Sequence, residues 1–555
     1  MSECDGAIDG HLAQARANGF GYLLMTDHDT LMHQNQVSPF RFAGVQQTVP
    51  QGVLTLVAEE AGNLATGASR SFPTDSTLGR SVLTVSARSA GPSEAKYGYR
   101  LASKIYQHPT VAQTPVVQLR VDQVGQAAYC YVRFDLSFHP AYAAIPAGNY
   151  ALEYRFYVSS SGATARSFRR FGVGRLGVVW VPVTRSVWSA PALNVMADLA
   201  QMWPGAFQPG DNAMPGVHFG VGSSGGALAE GAFANYELSR PASIDMLASQ
   251  RQLLAAYQTA YTDVIVDQGI ELSRPPPQSH HVNQLGGTIL LGSGLDYGAA
   301  VAAVHQHGGI ASINHPFGTD ERVLATPDVQ QELLRQAIDS HLSGRYFGAD
   351  MLEIYPDRRG TVDMARHVEL WDVASRNGFF LTAVSSNDDH GGKNWLAEPN
   401  PGYTSPYVSA VSTVDVQAAL AAGRSFVGVL GRFAGQLDFM LGGAPMGAVW
   451  MNQEPVQDLR IYADQLPAGS AVQVVQGPVD YAGGGDPTSG ATVTQTISAA
   501  RFSDAPFIMS SSVRNTFTRV QVIDSAGIVI ALSQPVWYLE GAPPAGVPIS
   551  RRYPS

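Results

Sequence analysis

The chain has 555 residues, more than one compact core usually spans, so two to four domains are expected. Its formal charge is −10, with three lysines (Lys96, Lys104, Lys393) and no basic cluster, which argues against a nucleic-acid partner. No apolar run approaches the ~18 residues of a membrane helix, and Cys4 and Cys130 make neither a disulfide framework nor a zinc knuckle, so free thiols are expected.

In chain order, AIDGHLAQARANG places Ile8, Leu12 and Ala15 at helical spacing, with Gly19 as the stop. A strand FGYLLM follows, then the loop TDHD, then a second strand in GVLTLVAEEAG (52–62). From about 66 to 240 the texture changes to β-branched and aromatic runs such as VVQLRV, YCYVRFDLSF, YALEYRFYV, LGVVWVPV, GVHFGVG and GAFANYELSR. Such runs, punctuated by Gly, Pro, Ser and Asn without helices between them, predict an antiparallel sandwich of jelly-roll type. Helix–strand alternation then resumes: ASIDMLASQRQLLAAYQTAYTD, VIVDQGIELS, YGAAVAAVHQHGG, IASINHP, DMLEIY, TVDMARHVELWDVASRNG and FFLTAVSS. Repeated units of this kind predict a parallel sheet or barrel with function at the strand C-terminal ends. After about 430 the runs QLDFMLGG, LRIYAD, AVQVVQG, FTRVQVID and IVIALSQPVWYL predict a C-terminal β-sandwich. The expected organisation is therefore an α/β domain (1–65 and 241–430) interrupted by an inserted sandwich (66–240) and followed by a small sandwich (431–555).

The polar residues with metal chemistry fall at one class of position. His28 follows FGYLLM, Glu271 lies in VIVDQGIELS with His281 ten residues on, His315 ends IASINHP, and Asp388 and His390 end FFLTAVSSNDDH. Each alone has an ordinary reading: TDH is commonly a turn, NHP is common loop material, and His305 and His307 suit a helix C-terminus. Four histidines and two carboxylates after strands of one α/β domain favour a metal site instead. Imidazole with carboxylate suits Zn, Mn or Fe, and the number of ligands points to more than one ion. Asp27 and Asp29 are expected to support the loop, and either His280 or His281 points inward.

The order TDH, GIELS with HHVN, INHPFG and SNDDH resembles the PHP (polymerase and histidinol phosphatase) metallohydrolase superfamily. GADMLEIY, the WD of ELWDVASRNG, AALAAGRSFVGV and RVQVIDSAGIVIALSQPVWYL resemble its carbaryl-hydrolase-type branch; the resemblance covers about 3–60 and 262–545 and leaves out the inserted sandwich. It implies a distorted (β/α)7 barrel holding two or three ions. His28, His281, His315, Asp388 and His390 would be ligands and Glu271 a bridging carboxylate. Asp5, in Cys4-Asp5-Gly6, would match the family's SDG as a further ligand. The family's opening His-x-His pair has no counterpart, because only Met1-Ser2-Glu3 precede Cys4. The expectation is a chain whose natural start lies upstream, where that pair and an export signal to a secreted or periplasmic location would stand; otherwise the location is cytoplasmic.

The implied reaction is hydrolysis of a carboxylic ester or carbamate by an ion-bound hydroxide, with His280 as a candidate proton donor to the leaving group. The alternatives are a phosphatase or phosphodiesterase on the same ions and a non-catalytic partner- or carbohydrate-binding protein with a degenerate site. Gly222-Ser223-Ser224-Gly225-Gly226 fits G-x-S-x-G only formally, since it falls between sandwich strands. Expected partners are a small-molecule or polymeric ester and, through the sandwich aromatics Tyr154, Phe156, Tyr157, Trp180 and Trp188, a glycan; for most of these rings, core packing is the better explanation.

Overall fold

The computed structural model of the chain describes residues 6–29, 37–49, 52–102, 114–123, 126–208, 211, 214–238, 245–273, 281–291, 295–319, 323–356, 358–452, 454–481, 485–502, 506–544 and 546–553. These are mixed α/β, dominated by strand, with seven α-helices among the described residues. No helix among them is long and apolar enough to cross a membrane. Packing divides the chain into two units. One is Met1–Phe20 with Thr30–Val264 and His390–Lys393; the other is Gly21–Asp29 with Ile265–Asp389 and Asn394–Ser555.

The first unit is a two-sheet sandwich. Its larger sheet has eight strands in the order Ser167–Phe171, Leu176–Pro182, Gly148–Tyr157, Ala128–His139, Gly216–Ser223, Ala95–Ala102, Gly52–Ala61 and Gln46–Val49. The second sheet has Val116–Val121, Leu228–Leu238, Leu83–Arg88 and Ser69–Ser71 in order, with Val37–Arg41 pairing on Leu228–Leu238. Period-two alternation builds the core: Cys130, Val132, Phe134 and Leu136 face Val85, Leu119 and Phe233 of the other sheet. Burial pushes the Cys130 thiol well above its ordinary pKa, so it stays a protonated packing residue.

Two expectations are corrected here. Strand Gly52–Ala61, grouped by sequence with the first α/β segment, pairs instead with Ala95–Ala102 in the large sandwich sheet. The sheet is also not wholly antiparallel, because Gly148–Tyr157 runs parallel to Leu176–Pro182. The aromatics divide by strand parity. Tyr154 and Phe156 lie in the core, whereas Tyr157 and Trp180 face the other side, where they pack on Tyr129 and are only 6% and 7% exposed. Trp188 donates its indole N–H to Asp75 beneath the Arg120 guanidinium. None of these rings lies bare as a stacking platform for a sugar.

The helix Ile8–Ala17 buries Ile8, Leu12 and Ala15 as its spacing predicts and ends before Gly19, whose φ of 77° fits the left-handed C-terminal position. It also buries Asp9, whose carboxylate meets His139 Nδ1 at 2.8 Å and the Tyr142 hydroxyl. Asp211, close to Asp9, accepts from the Ile8 amide at 2.7 Å. Burial, with the charge of Asp9 added and that of His139 opposing, pushes the Asp211 carboxyl up to about 7. A carboxyl raised in the fold binds more protons than in the unfolded chain, so its contribution is complete below about pH 4 and declines towards pH 7. The thermal midpoint of the sandwich unit is expected to drop between pH 5 and pH 8 by more in the wild type than in Asp211→Asn. Equal drops in the two proteins would contradict this assignment.

In the second unit, a six-stranded sheet runs in the order Tyr22–His28, Ile265–Leu272, His281–Leu285, Ile310–Asn314, Met351–Glu353 and Thr382–Val384. Five of these strands share one direction, and His281–Leu285 runs against both of its neighbours. The sheet is therefore mixed and not wholly parallel, and no pairing among the described residues closes it into the seven-stranded barrel that the resemblance implies. The physical reason starts at Leu272: the connection to His281 is shorter than the dozen or more residues a parallel crossover needs. Helices Pro327–Ser343 and Met364–Arg376 cover one face, with Leu334, Ile338, Val368 and Trp371 packed on Ile313, Leu352 and Ala383. The remaining strands form a sandwich of an eight-stranded and a four-stranded sheet around Phe439, Leu459, Val472, Val520 and Tyr538. That sandwich already begins with Gly402–Pro406 and Ser425–Val429, earlier in the chain than the texture change suggests.

Candidate metal centre

The five co-directed strands of the six-stranded sheet deliver their C-terminal ends to one edge, where an open α/β sheet assembles a site. His28 and Glu271 are register partners at the ends of adjacent parallel strands. His281 opens the antiparallel strand at the same edge, opposite Asn314, and His315 follows that residue. Strand polarity, not proximity in sequence, thus gathers residues from four segments.

Glu271 is the hub. One carboxylate oxygen lies 2.7 Å from His281 Nδ1 and 3.2 Å from His315 Nε2, and the other lies 3.4 Å from His28 Nε2. Donor atoms of His28, Glu271 and His281 all fall within 4.8 Å of one another. The imidazoles stand edge to face, with centroids 4.9 Å apart for His28–His281 and 4.7 Å for His281–His315. Side-chain exposure rises from 2% at His315 to 22% at His281, so solvent approaches from the His281 side. Burial opposes ionisation of Glu271, but its bonds to His281 and His315 and the charge of His28 outweigh it, and the carboxyl sits well below its ordinary pKa.

The surroundings fix these groups. Ser273 Oγ meets His28 Nδ1 at 2.5 Å, and Asp29 accepts from the Ser273 amide at 2.9 Å, tying the His28 loop to the Glu271 strand. Glu353 accepts from the His315 amide at 3.0 Å and from the Ser386 hydroxyl at 2.6 Å. Burial, with Asp388 adding to it, raises the Glu353 carboxyl to about 8 against the pull of these bonds. His315 and Asp388 both have positive φ, 30° and 49°, a conformation that is costly outside glycine and that concentrates at functional sites.

Of the remaining expected ligands, Asp388 ion-pairs with Arg359, whose guanidinium also lies over the Tyr355 ring at 5.3 Å. Arg359 is presented by a two-residue hairpin in which Gly360 and Thr361 both have positive φ, the conformation that matches strand twist. A Cβ at Gly360 would lie 2.0 Å from the Phe317 carbonyl oxygen, so only glycine lets the hairpin dock on the loop after His315. His390 belongs to the other unit, where its carbonyl accepts from the Gly6 amide at 3.0 Å. Asp5 and His280 lie outside the described residues. His305 pairs with Asp350 and His307 ends its helix, the ordinary roles expected of them. Ser224 stands in a turn between two sandwich strands, with no helix following, which removes the nucleophile-elbow geometry.

Sequence reasoning missed Glu353, Arg359 and Ser273. Glu353 ends the strand in DMLEIY, the same class of position as the ligands, and this signal was present. Arg359 became visible only through the hairpin.

No protein-family model matches this chain, and no curated protein matches it. Among solved structures, the catalytic domain of Humicola grisea Cel12A is 11% identical, covers 36% of this chain and 98% of its own, and has a TM-score of 0.23. A family 12 xyloglucanase from Bacillus licheniformis is 10% identical over 37% of this chain and 99% of its own, with a TM-score of 0.20. An arabinose-bound MgGH51 α-L-arabinofuranosidase is 8% identical over 95% and 98% of the two chains, with a TM-score of 0.19. Likenesses this low carry no argument about fold or function.

Proposed function

We propose that the second unit is a divalent-metal-dependent hydrolase acting on a carboxylic ester or carbamate. The observation that supports this is the convergence of His28, His281 and His315 on the two oxygens of Glu271. The donor set fits a borderline transition ion such as Zn, Mn or Fe, with ligand atoms of His28, Glu271 and His281 all within 4.8 Å of one another. His28, Glu271, His281 and His315 would hold the ion. Such an ion supplies Lewis acidity and lowers the pKa of its water to near neutrality. Ser273 and Glu353 hold His28 and the His315 backbone in place, and the His281 side is where substrate enters.

The bond class rests on the resemblance to carbaryl-hydrolase-type proteins. A second reading, phosphoester hydrolysis on the same residues, is favoured by the buried Arg359 guanidinium, whose fork suits phosphate oxygens. Metal analysis of the purified protein is expected to find at least one transition ion per chain. In His315→Ala that content and the hydrolysis of p-nitrophenyl butyrate are expected to fall by about 100-fold or more, since even supporting residues of a metal site cost 10–100-fold. Hydrolysis of p-nitrophenyl phosphate instead of the butyrate would select the second reading. A protein with no bound transition ion, or an unaffected His315→Ala, would refute the metal site.

A further inference from the structure

The face of the eight-stranded sheet turned away from the sandwich core has a composition that packing does not explain. Across four adjacent strands, Tyr131, Gly220, Gly98 and Glu59 stand in one register row. The two central positions have no side chain, and a Cβ there would meet backbone carbonyls at 2.4 Å (Gly220) and 2.1 Å (Gly98). With strands about 4.8 Å apart, the row spans about 14 Å between the Cα atoms of Tyr131 and Glu59, and the Tyr131 hydroxyl reaches over Gly220, 2.9 Å from where a Cβ would stand. Above this row is a cleft of about 480 Å3 lined by Ala58, Glu59, Glu60, Ala61, Lys96, Tyr131, Arg133 and His218. Arg133 also lines a second cleft of about 540 Å3, with Arg100, Asp135, Asn149 and Arg175, so the depression continues along the sheet.

The walls are held in advance. His218 is bonded at both nitrogens, to Glu59 at 2.5 Å and to Asp135 at 2.7 Å. Beneath Lys96 lies Glu153, fully buried on the outward parity of its strand, bonded to Lys96 and to Arg155 at 2.6 Å each, and Arg155 continues to Glu94 at 2.6 Å. Burying such ions costs free energy that a hydrophobic replacement avoids, whereas fixed polar side chains lower the entropy lost on binding a ligand. Both signs alternate: Glu59, Glu60 and Asp135 stand among Lys96, Arg133 and His218. No one-signed field selects an ion. Closely spaced donors and acceptors instead suit hydroxyl groups, each of which is both.

We propose that this trough is a binding site for a neutral oligosaccharide chain, held by hydrogen bonds to Glu59, Arg133 and Tyr131, with His218 fixing Glu59 in place, and independent of the metal centre. The clefts have the volume of small-ligand sites, and their continuity through Arg133 suits a chain in preference to a single sugar. Isothermal titration of the full chain with cellohexaose, xylohexaose and mannohexaose, with hexagalacturonate as the anionic comparison, tests it. At least one neutral hexasaccharide is expected to bind with a Kd of about 1 mM or tighter. Arg133→Ala and the isosteric Glu59→Gln are each expected to weaken that binding by about 10-fold, equal to 1.4 kcal/mol. The thermal midpoint, read in parallel, is expected to move little in Arg133→Ala, because the Arg133–Asp135 pair is partly exposed and contributes little to stability. Absence of binding by every neutral hexasaccharide, binding by hexagalacturonate alone, or full affinity in both variants would overturn the proposal.

Discussion

Glu271→Gln is expected to abolish retention of a divalent ion and, with it, hydrolysis. Glu271 meets three imidazoles through two oxygens. The amide that replaces it loses the negative charge and turns one oxygen into an NH2, which repels an ion and faces a histidine nitrogen as a second donor. Because the loss falls on a ligand and not on a supporting residue, the affinity is expected to fall by more than the ~100-fold upper range typical of supporting residues. Competition titration with a chelator reads the affinity directly, without an assay of turnover. Far-UV circular dichroism is expected to be unchanged, since the strand Ile265–Leu272 is held by backbone pairing on both sides. Wild-type metal content in Glu271→Gln would remove Glu271 from the centre of the site.

Arg519→Met is expected to cost about 3–5 kcal/mol of stability, the range for breaking a buried ion pair on one side. Arg519 donates to both oxygens of Asp372, through Nε at 2.9 Å and Nη2 at 2.8 Å, and the two side chains are 4% and 5% exposed. The pair joins helix Met364–Arg376 to strand Thr516–Ile523, so it ties the α/β sheet to the C-terminal sandwich inside the second unit. Methionine retains most of the volume beside Trp371 and leaves the Asp372 carboxylate buried without its partner. The double variant Asp372→Leu/Arg519→Met is expected to recover most of the loss, because the desolvated charge has gone with its partner. Chemical denaturation of the single and double variants measures both effects. A single variant within about 1 kcal/mol of wild type would show that the carboxylate reaches water.

Many of the strands and several helices of this protein were legible because they depend on local periodicity; the helices Val195–Met202 and Pro327–Ser343 were not read. VVQLRV is the strand Val116–Val121, and IASINHP holds Ile310–Asn314 followed by His315. The candidate ligands His28, Glu271, His281 and His315 were legible for the same reason, since each stands where an apolar run gives way to polar residues. Pairing was not legible. Strand Gly52–Ala61 reads equally well as part of an α/β unit or of a sandwich, because backbone hydrogen bonding carries no residue code and only its neighbour Ala95–Ala102 decides its sheet. The same holds for the direction of His281–Leu285, which brings His281 to the edge shared by His28 and Glu271.

By itself, the sequence determined which residues able to ligate a metal stand near strand ends and where most strands run. Helix Val195–Met202, within the stretch read as strands alone, and the extension of the first strand through His28, read as loop, came only with the structure. Only the tertiary structure decided that Glu271 lies between three imidazoles, that Asp388 meets Arg359, and that Tyr157 and Trp180 are covered while Gly98 and Gly220 floor an open trough. The reason is that composition and period are properties of consecutive residues. The distance between two side chains on different strands depends on which strands become neighbours and in what register.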